Sequence, residues 1–211
     1  MGDRIERGKQ LGKAHDLVNV FSIGALLVMS GLMLRDVIYN PPPDSKHSYW
    51  CLPLAYSTAA YLVLDTIFLV MFPISVPTTS RLVTLLIHHI TTLALVYHPI
   101  VYTEHEKFLL YGLAVELNTM SLSLFKTTRM KLFQYFHFVT WALLRLGWYP
   151  YLLFYRYHVE MNTPQYSRKE YAVVLAPQAV LVMLGLLWTY EAVQPSKAKQ
   201  GDKKESSRKT Q

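Results

Sequence analysis

Six runs of 17 to 23 residues, in which apolar side chains follow one another almost without a break, constrain this chain more than anything else in it. They are Leu17–Leu34, Leu52–Phe72, Arg81–Tyr97, Lys107–Phe125, Leu132–Phe154 and Tyr171–Tyr190. A bilayer's hydrocarbon core, about 30 Å thick, takes about 20 apolar residues of helix to cross. Lipid offers no partner to a bare N–H or C=O, so only helices and closed barrels cross it. Runs this long, without polar–apolar alternation, are helices. At 52% hydrophobic and 17% charged residues, the chain also carries less charge than the roughly 25% usual in soluble domains. The expected fold is an all-α membrane protein, a six-transmembrane-helix bundle.

The positions of the 21 Lys and Arg residues orient it. Both termini of a six-span bundle lie on one side of the membrane. That side receives Arg4, Arg7, Lys9, Lys13, Arg81, Lys126, Arg129, Lys131 and six basic residues after Pro195, fourteen in all. The opposite loops hold Arg35, Lys46, Lys107, Arg156, Arg168 and Lys169, and Arg145 remains inside a run. Basic residues accumulate on the cytosolic side, so both termini are expected there. The organisation read from this is a cytosolic lead over residues 1–16, a membrane domain over 17–192 and a disordered, lysine-rich cytosolic tail over 193–211. The charged lead precedes the first apolar run, unlike a cleaved signal peptide, and that run is expected to stay as an anchor. Near the tail's end, Arg208-Lys209 is similar to a dibasic retrieval signal, which implies the endoplasmic reticulum, with plasma membrane or Golgi as alternatives.

Four of the runs carry ionisable groups at mid-depth. In Arg81–Tyr97 two adjacent histidines, His88 and His89, stand near the centre, and ionisable groups at that depth mark functional sites. Thr84, His88 and Thr91 or Thr92 form a stripe that faces the bundle interior. His89 lies about 100° round the helix from His88; His88 is expected to face the site, and His89 a neighbouring helix or the cavity edge. Asp65 shares a face with Ser57 and Tyr61, and Arg145 is its expected partner. Glu116 shares a face with Gly112, Thr119 and Ser123, with Asn118 beside it; a carboxylate beside an imidazole makes an acid–base pair. Arg145 is too deep to snorkel, and pairs with an acid or an anionic head group. Gly24 and Gly31 share one face of the first run, where small residues permit close helix approach. His98, His105, His137 and His158 read as interfacial, and Pro150 as a bend in the fifth run.

Other chemistries find less support. Zinc-binding helices place two histidines three or four residues apart, which the adjacent pair does not, so no metal is expected. Cys51 is the only cysteine and excludes an internal disulfide. The formal charge of +7 sits in loops without the aromatic interleaving of nucleic-acid surfaces. No nucleic-acid partner is expected.

Four pieces in order, Tyr61-Leu62-Val63-Leu64-Asp65, His88-His89-Ile90-Thr91-Thr92, Glu116-Leu117-Asn118-Thr119, and Arg145 followed by Pro150, resemble the TLC-domain family. That family is the six-helix membrane domain of ceramide synthases and other lipid-related proteins, and the resemblance spans roughly residues 50–190. Where ceramide synthases carry a His-Asp-x-x-Asp segment, this chain has Val115, Glu116 and Thr119, so it is similar to the branch outside the ceramide synthases, associated with membrane lipid composition.

What the resemblance implies divides into three readings. The first is a lipid- or acyl-chain-binding protein that influences membrane lipid composition, with Asp65, Arg145, Tyr61, Asn118, Thr119 and Thr92 contacting the ligand. The second is an acyltransferase, with acyl-CoA as co-substrate and no other cofactor. There His88 or His89 acts as base or acyl carrier and Glu116 orients it. The third is a transporter or biogenesis factor.

Overall fold

The computed structural model describes residues 2–39, 48–102, 106–161 and 168–194. The Pro41–Pro43 connector, His105 and the expected disordered tail from Pro195 onward lie outside the described residues. The described chain is helical, with no strand among the described residues: α1 (Gly2–Tyr39), α2 (Cys51–Met71), α3 (Thr79–Val101), α4 (Glu106–Leu113), α5 (Glu116–Thr128), α6 (Lys131–Thr140), a π-helical stretch (Trp141–Trp148), α7 (Tyr149–Met161) and α8 (Arg168–Val193). Among the described residues, five helical stretches are long and apolar enough to cross a membrane: within α1, α2, α3, α4 with α5, and within α8. The run expected as a further span, Leu132–Phe154, lies within α6, the π stretch and α7, which follow one another without a gap from Lys131 to Met161 but are not among those five. Six crossings therefore remain an expectation.

Local chemistry sets most of the ends. Pro73 follows α2 and opens a short 3₁₀ turn, Pro73–Ser75. Thr78 caps α3 by accepting a hydrogen bond from the Arg81 N–H at 3.2 Å, which satisfies one of the orphan donors at a helix start. α5 closes on Arg129, which adopts the left-handed conformation at φ 60°. Pro150 supplies no N–H and crowds the carbonyl four residues back. The widened turns before it are where this helix departs from α geometry.

Several expectations change. The expected lead is helical: α1 runs unbroken from Gly2 through the first apolar run to Tyr39. The polar interval between the fifth and sixth runs, residues 155–170, is helical as far as Met161. The expected run Lys107–Phe125 lies within one candidate span, Glu106–Thr128, with a turn at Ala114–Val115 where α4 passes into α5. Gly24 and Gly31 do not mark a close approach, since a methyl group added at either meets nothing within 4 Å. The tight glycine is Gly8, where the same methyl group meets the Ile74 carbonyl oxygen at 2.9 Å.

The helices pack as a ring. α1 lies against α2 and α5, α3 between α2 and α8, and the α6–π–α7 run against α5 and α8. One apolar cluster, with Met33, Leu54, Leu62, Val96 and Leu110, fills the end where α1 finishes and α2 begins. A second, with Val115, Tyr149, Leu152 and Leu181, lies beside it. The opposite half of the ring, around the start of α3 and the end of α5, is left polar.

Candidate functional site

That polar half encloses a chamber of about 320 Å³. α1 contributes His15, Asp16 and Asn19; α2 contributes Tyr61 and Asp65; α3 contributes Arg81, His88 and His89. Glu116, Asn118 and Thr119 come from α5, Trp141 and Arg145 from the π stretch, and Trp188 from α8. Arg81, Lys126, Ser75 and Pro77 mark one end of it, the end carrying the basic clusters of the lead and of the Lys126–Lys131 loop. The apolar clusters fill the other end.

Asp65 is the hub of one half. Its carboxylate sits between two imidazoles, paired with His15 through Oδ1 and with His89 Nε2 at 3.2 Å through Oδ2. The other ring nitrogen of His89 lies 3.0 Å from the Thr66 hydroxyl. That hydroxyl also donates to the Leu62 carbonyl at 2.7 Å. His15 also stacks on Phe68, with ring centroids 4.4 Å apart. Asp65 thus pairs with histidines on α1 and α3 rather than with Arg145.

Arg145 organises the other half. Buried to 6% exposure, it donates from Nε to Asn118 Oδ1 at 3.1 Å and from a terminal nitrogen to Thr119 Oγ1 at 3.2 Å. Its guanidinium carbon lies 5.2 Å from the ring centres of both Trp141 and Trp188. Two of the fork's five N–H donors are used in these bonds, and both acceptors are neutral. Asn118 is itself fixed: its amide nitrogen lies 3.0 Å from His137 Nδ1, 2.9 Å from the His137 carbonyl and 3.0 Å from Thr140 Oγ1. Glu116 is hydrogen-bonded to Thr119 and lies in the field of Arg145.

The adjacent histidines divide between neighbours. The 100° between them turns His89 toward α2 and His88 toward α8, where His88 meets the edge of Trp188 at 5.6 Å. Both line the chamber, their ring centroids 5.8 Å apart, because α3 is packed on both sides. His88 is buried, and its Nδ1 has no hydrogen-bond partner among the described residues. Asp65, not Glu116, is the carboxylate bonded to an imidazole.

Of the residues the sequence singled out, the chamber gathers Tyr61, Asp65, His88, His89, Glu116, Asn118, Thr119 and Arg145. Thr92 is not among them. Its hydroxyl donates to the His88 carbonyl at 2.8 Å, and it lines a separate space of about 40 Å³ that shares Glu116 as a wall. Sequence reasoning missed His15, Asn19, Trp188 and the role of His137, which anchors Asn118 rather than an interface. A signal for the first two was present: His15, Asn19 and Ser22 fall at i, i+4 and i+7, the stripe rule applied to the histidine helix. Among the described residues, no group of three or more His, Cys, Asp or Glu side chains is placed to hold a metal ion.

A ring of apolar helices closed around buried ionisable side chains defines an integral membrane protein with a polar intramembrane chamber. The family model of the TLC domain matches residues 16–194, and the chain belongs to that family. The match takes in α1 from Asp16 onward, one residue after the histidine that pairs with Asp65. No curated protein and no solved structure matches the chain. The family places it among membrane proteins related to lipids.

Proposed function

We propose that the chamber binds the head group of an anionic amphiphile, a lipid or fatty acid, and that the protein influences membrane lipid composition through that binding. The observation that carries this reading is Arg145. A guanidinium costs several kcal/mol to bury unless it is paired; its own hydrogen bonds go to a neutral amide and a neutral hydroxyl, while Glu116, an acid in its field, is hydrogen-bonded to Thr119. Arg81 and Lys126 line the same chamber, so cationic side chains reach the ligand space from α3, α5 and the π stretch. A planar fork between two indole faces suits a carboxylate or phosphate. With both termini cytosolic, the basic end of the chamber faces the cytosol, and the endoplasmic reticulum is the organelle this reading takes.

A second reading, acyl transfer from a coenzyme A thioester, draws on His88. A buried imidazole nitrogen without a partner, facing a chamber, is the form a nucleophile or base takes before substrate arrives. In that reading His89 is held by Asp65, and Glu116 acts through Thr119 and Arg145.

Native mass spectrometry of the protein released from nanodiscs separates the two. The binding reading expects a non-covalent anionic amphiphile that is lost in Arg145→Ala and kept in His88→Ala. An acyl adduct lost in His88→Ala replaces it with the transferase reading. Proton flux through reconstituted protein that retains no lipid favours a transporter and removes both.

A further inference from the structure

Outside the chamber, between α1 and α2, lies an apolar groove of about 610 Å³. Its flanks are Val18, Ala25, Met29, Ala60 and Leu64, and the exposed outer faces of both helices surround it. Both helices contain candidate membrane spans, so the medium against this groove is acyl chain. The groove's inner wall is not apolar. It consists of His15, Asn19, Tyr61 and Asp65, and these four residues also line the chamber. One polar partition therefore has hydrocarbon on one side and the buried charges on the other.

The partition has two rungs. His15 pairs with Asp65, and Tyr61 donates from its hydroxyl to Asn19 Oδ1 at 3.2 Å. On each helix the rung residues are four apart, and the order reverses between helices. The rungs therefore stand one helical turn, about 5.4 Å, from each other across an antiparallel pair. Apart from them the contact between α1 and α2 at this level is groove, so the bonds that close the chamber toward lipid are two side-chain pairs rather than packed apolar walls. The volume lies within the roughly 300–1,000 Å³ typical of ligand pockets.

We propose that this groove is the tail site for the same amphiphile whose head group the chamber takes, and that the His15–Asp65 and Asn19–Tyr61 rungs form a latch that opens sideways to join the two. The proposal rests on the chamber reading above and adds its route and its second subsite. A single-tailed amphiphile then lies with its carboxylate or phosphate at Arg145 and its chain between α1 and α2. The latch parts as the ligand passes and closes around it. The continuity of the inner wall selects this groove over the other large one, of about 550 Å³ between α7 and α8, whose lining includes Pro150, Phe154 and Leu175 and none of the chamber's residues.

A long-chain fatty acid bearing a mid-chain diazirine tests this in nanodiscs holding the full chain. After illumination, the labelled residues are read by peptide sequencing. Labelling is expected on groove-lining residues within 14–29 and 57–68, and it should fall about tenfold in Ala60→Trp, an exposed groove position. That is the loss expected from displacing about two buried methylenes. Tyr61→Phe, which removes one rung's donor, should speed release of bound fatty acid about fivefold, the equivalent of one hydrogen bond worth about 1 kcal/mol. Labelling confined to the α7–α8 groove, or unchanged in Ala60→Trp, overturns the tail site while amphiphile retention keeps the chamber reading. An unchanged release rate in Tyr61→Phe overturns the latch. Loss of all retained amphiphile from the parent protein overturns the chamber reading and this one together.

Discussion

Replacing Asn118 by leucine should cost this protein about 3 kcal/mol, and much of the loss should be shared with Arg145. The figure follows from the bonds. Asn118 is 1% exposed and accepts from the charged Arg145 Nε at 3.1 Å. A hydrogen bond to a charged group contributes about 1.5–3 kcal/mol net. Its amide nitrogen also reaches Thr140 and His137, at about 0.5–1.5 kcal/mol for each neutral bond. Leucine keeps the volume but leaves the guanidinium nitrogen facing hydrocarbon. Side-chain bonds inside membranes average nearer 0.6 kcal/mol, with a maximum near 1.7, because an unfolded helix in lipid also finds partners. A double-mutant cycle isolates the pair: Asn118→Leu, Arg145→Met and the combination, unfolded reversibly in mixed micelles. The tryptophans flanking Arg145 give the fluorescence signal. The coupling energy should be about 1.5 kcal/mol, near the top of the membrane range, since both partners are buried. Strict additivity, with the double variant losing the sum of the single losses, would refute the hub assigned to Asn118.

Four further outcomes follow from contacts of α1. Gly8→Ala, whose new methyl group meets the Ile74 carbonyl oxygen at 2.9 Å, should loosen the start of α1 by about 1–3 kcal/mol, seen as faster tryptic cleavage near Arg7. Gly24→Ala, with nothing within 4 Å, should instead raise stability by about 0.5–1 kcal/mol, and a loss would mean that α1 is approached there after all. Asp65→Ala should cost about 3–5 kcal/mol, as expected when one partner of a buried pair is removed, and more than His15→Ala, after which His89 still holds the carboxylate; equal losses would place the anchor on α1 instead. Lys126→Ala removes the 3.1 Å pair with Asp16 at a half-exposed site and should cost under about 1 kcal/mol, with the difference from the parent vanishing at high salt.

The membrane fold was legible because lipid imposes a coarse rule: apolar runs of bilayer length are helices, whatever their neighbours. Asp65, His88, His89, Glu116 and Arg145 were legible for the same reason in reverse, since an ionisable residue inside such a run stands out against it. What escaped was what that contrast does not mark. His15 precedes the first apolar run, in a charged stretch where a histidine attracts no notice, yet α1 extends backward through that stretch and carries the residue to Asp65. Trp188 carries no charge to stand out in its apolar run, although its ring faces His88, Arg81 and Arg145.

Pairing was the other blind spot. Arg145 and Asp65 are opposite charges in successive apolar runs, and electrostatics alone joins them. The ring order decides otherwise, because α3 stands next to α2 while the π stretch stands between α5 and α8. Asp65 therefore meets imidazoles from α1 and α3, and the guanidinium meets the amide and hydroxyl of α5. Adjacent His88 and His89 seemed to be rivals, with 100° between them allowing only one to face a site. In a ring, that angle lets one helix wall two sectors of the chamber, with His89 closing the Asp65 side and His88 the tryptophan side. The same separation explains why Asp65 and Arg145 share one chamber without pairing directly: each is committed to partners on its own side.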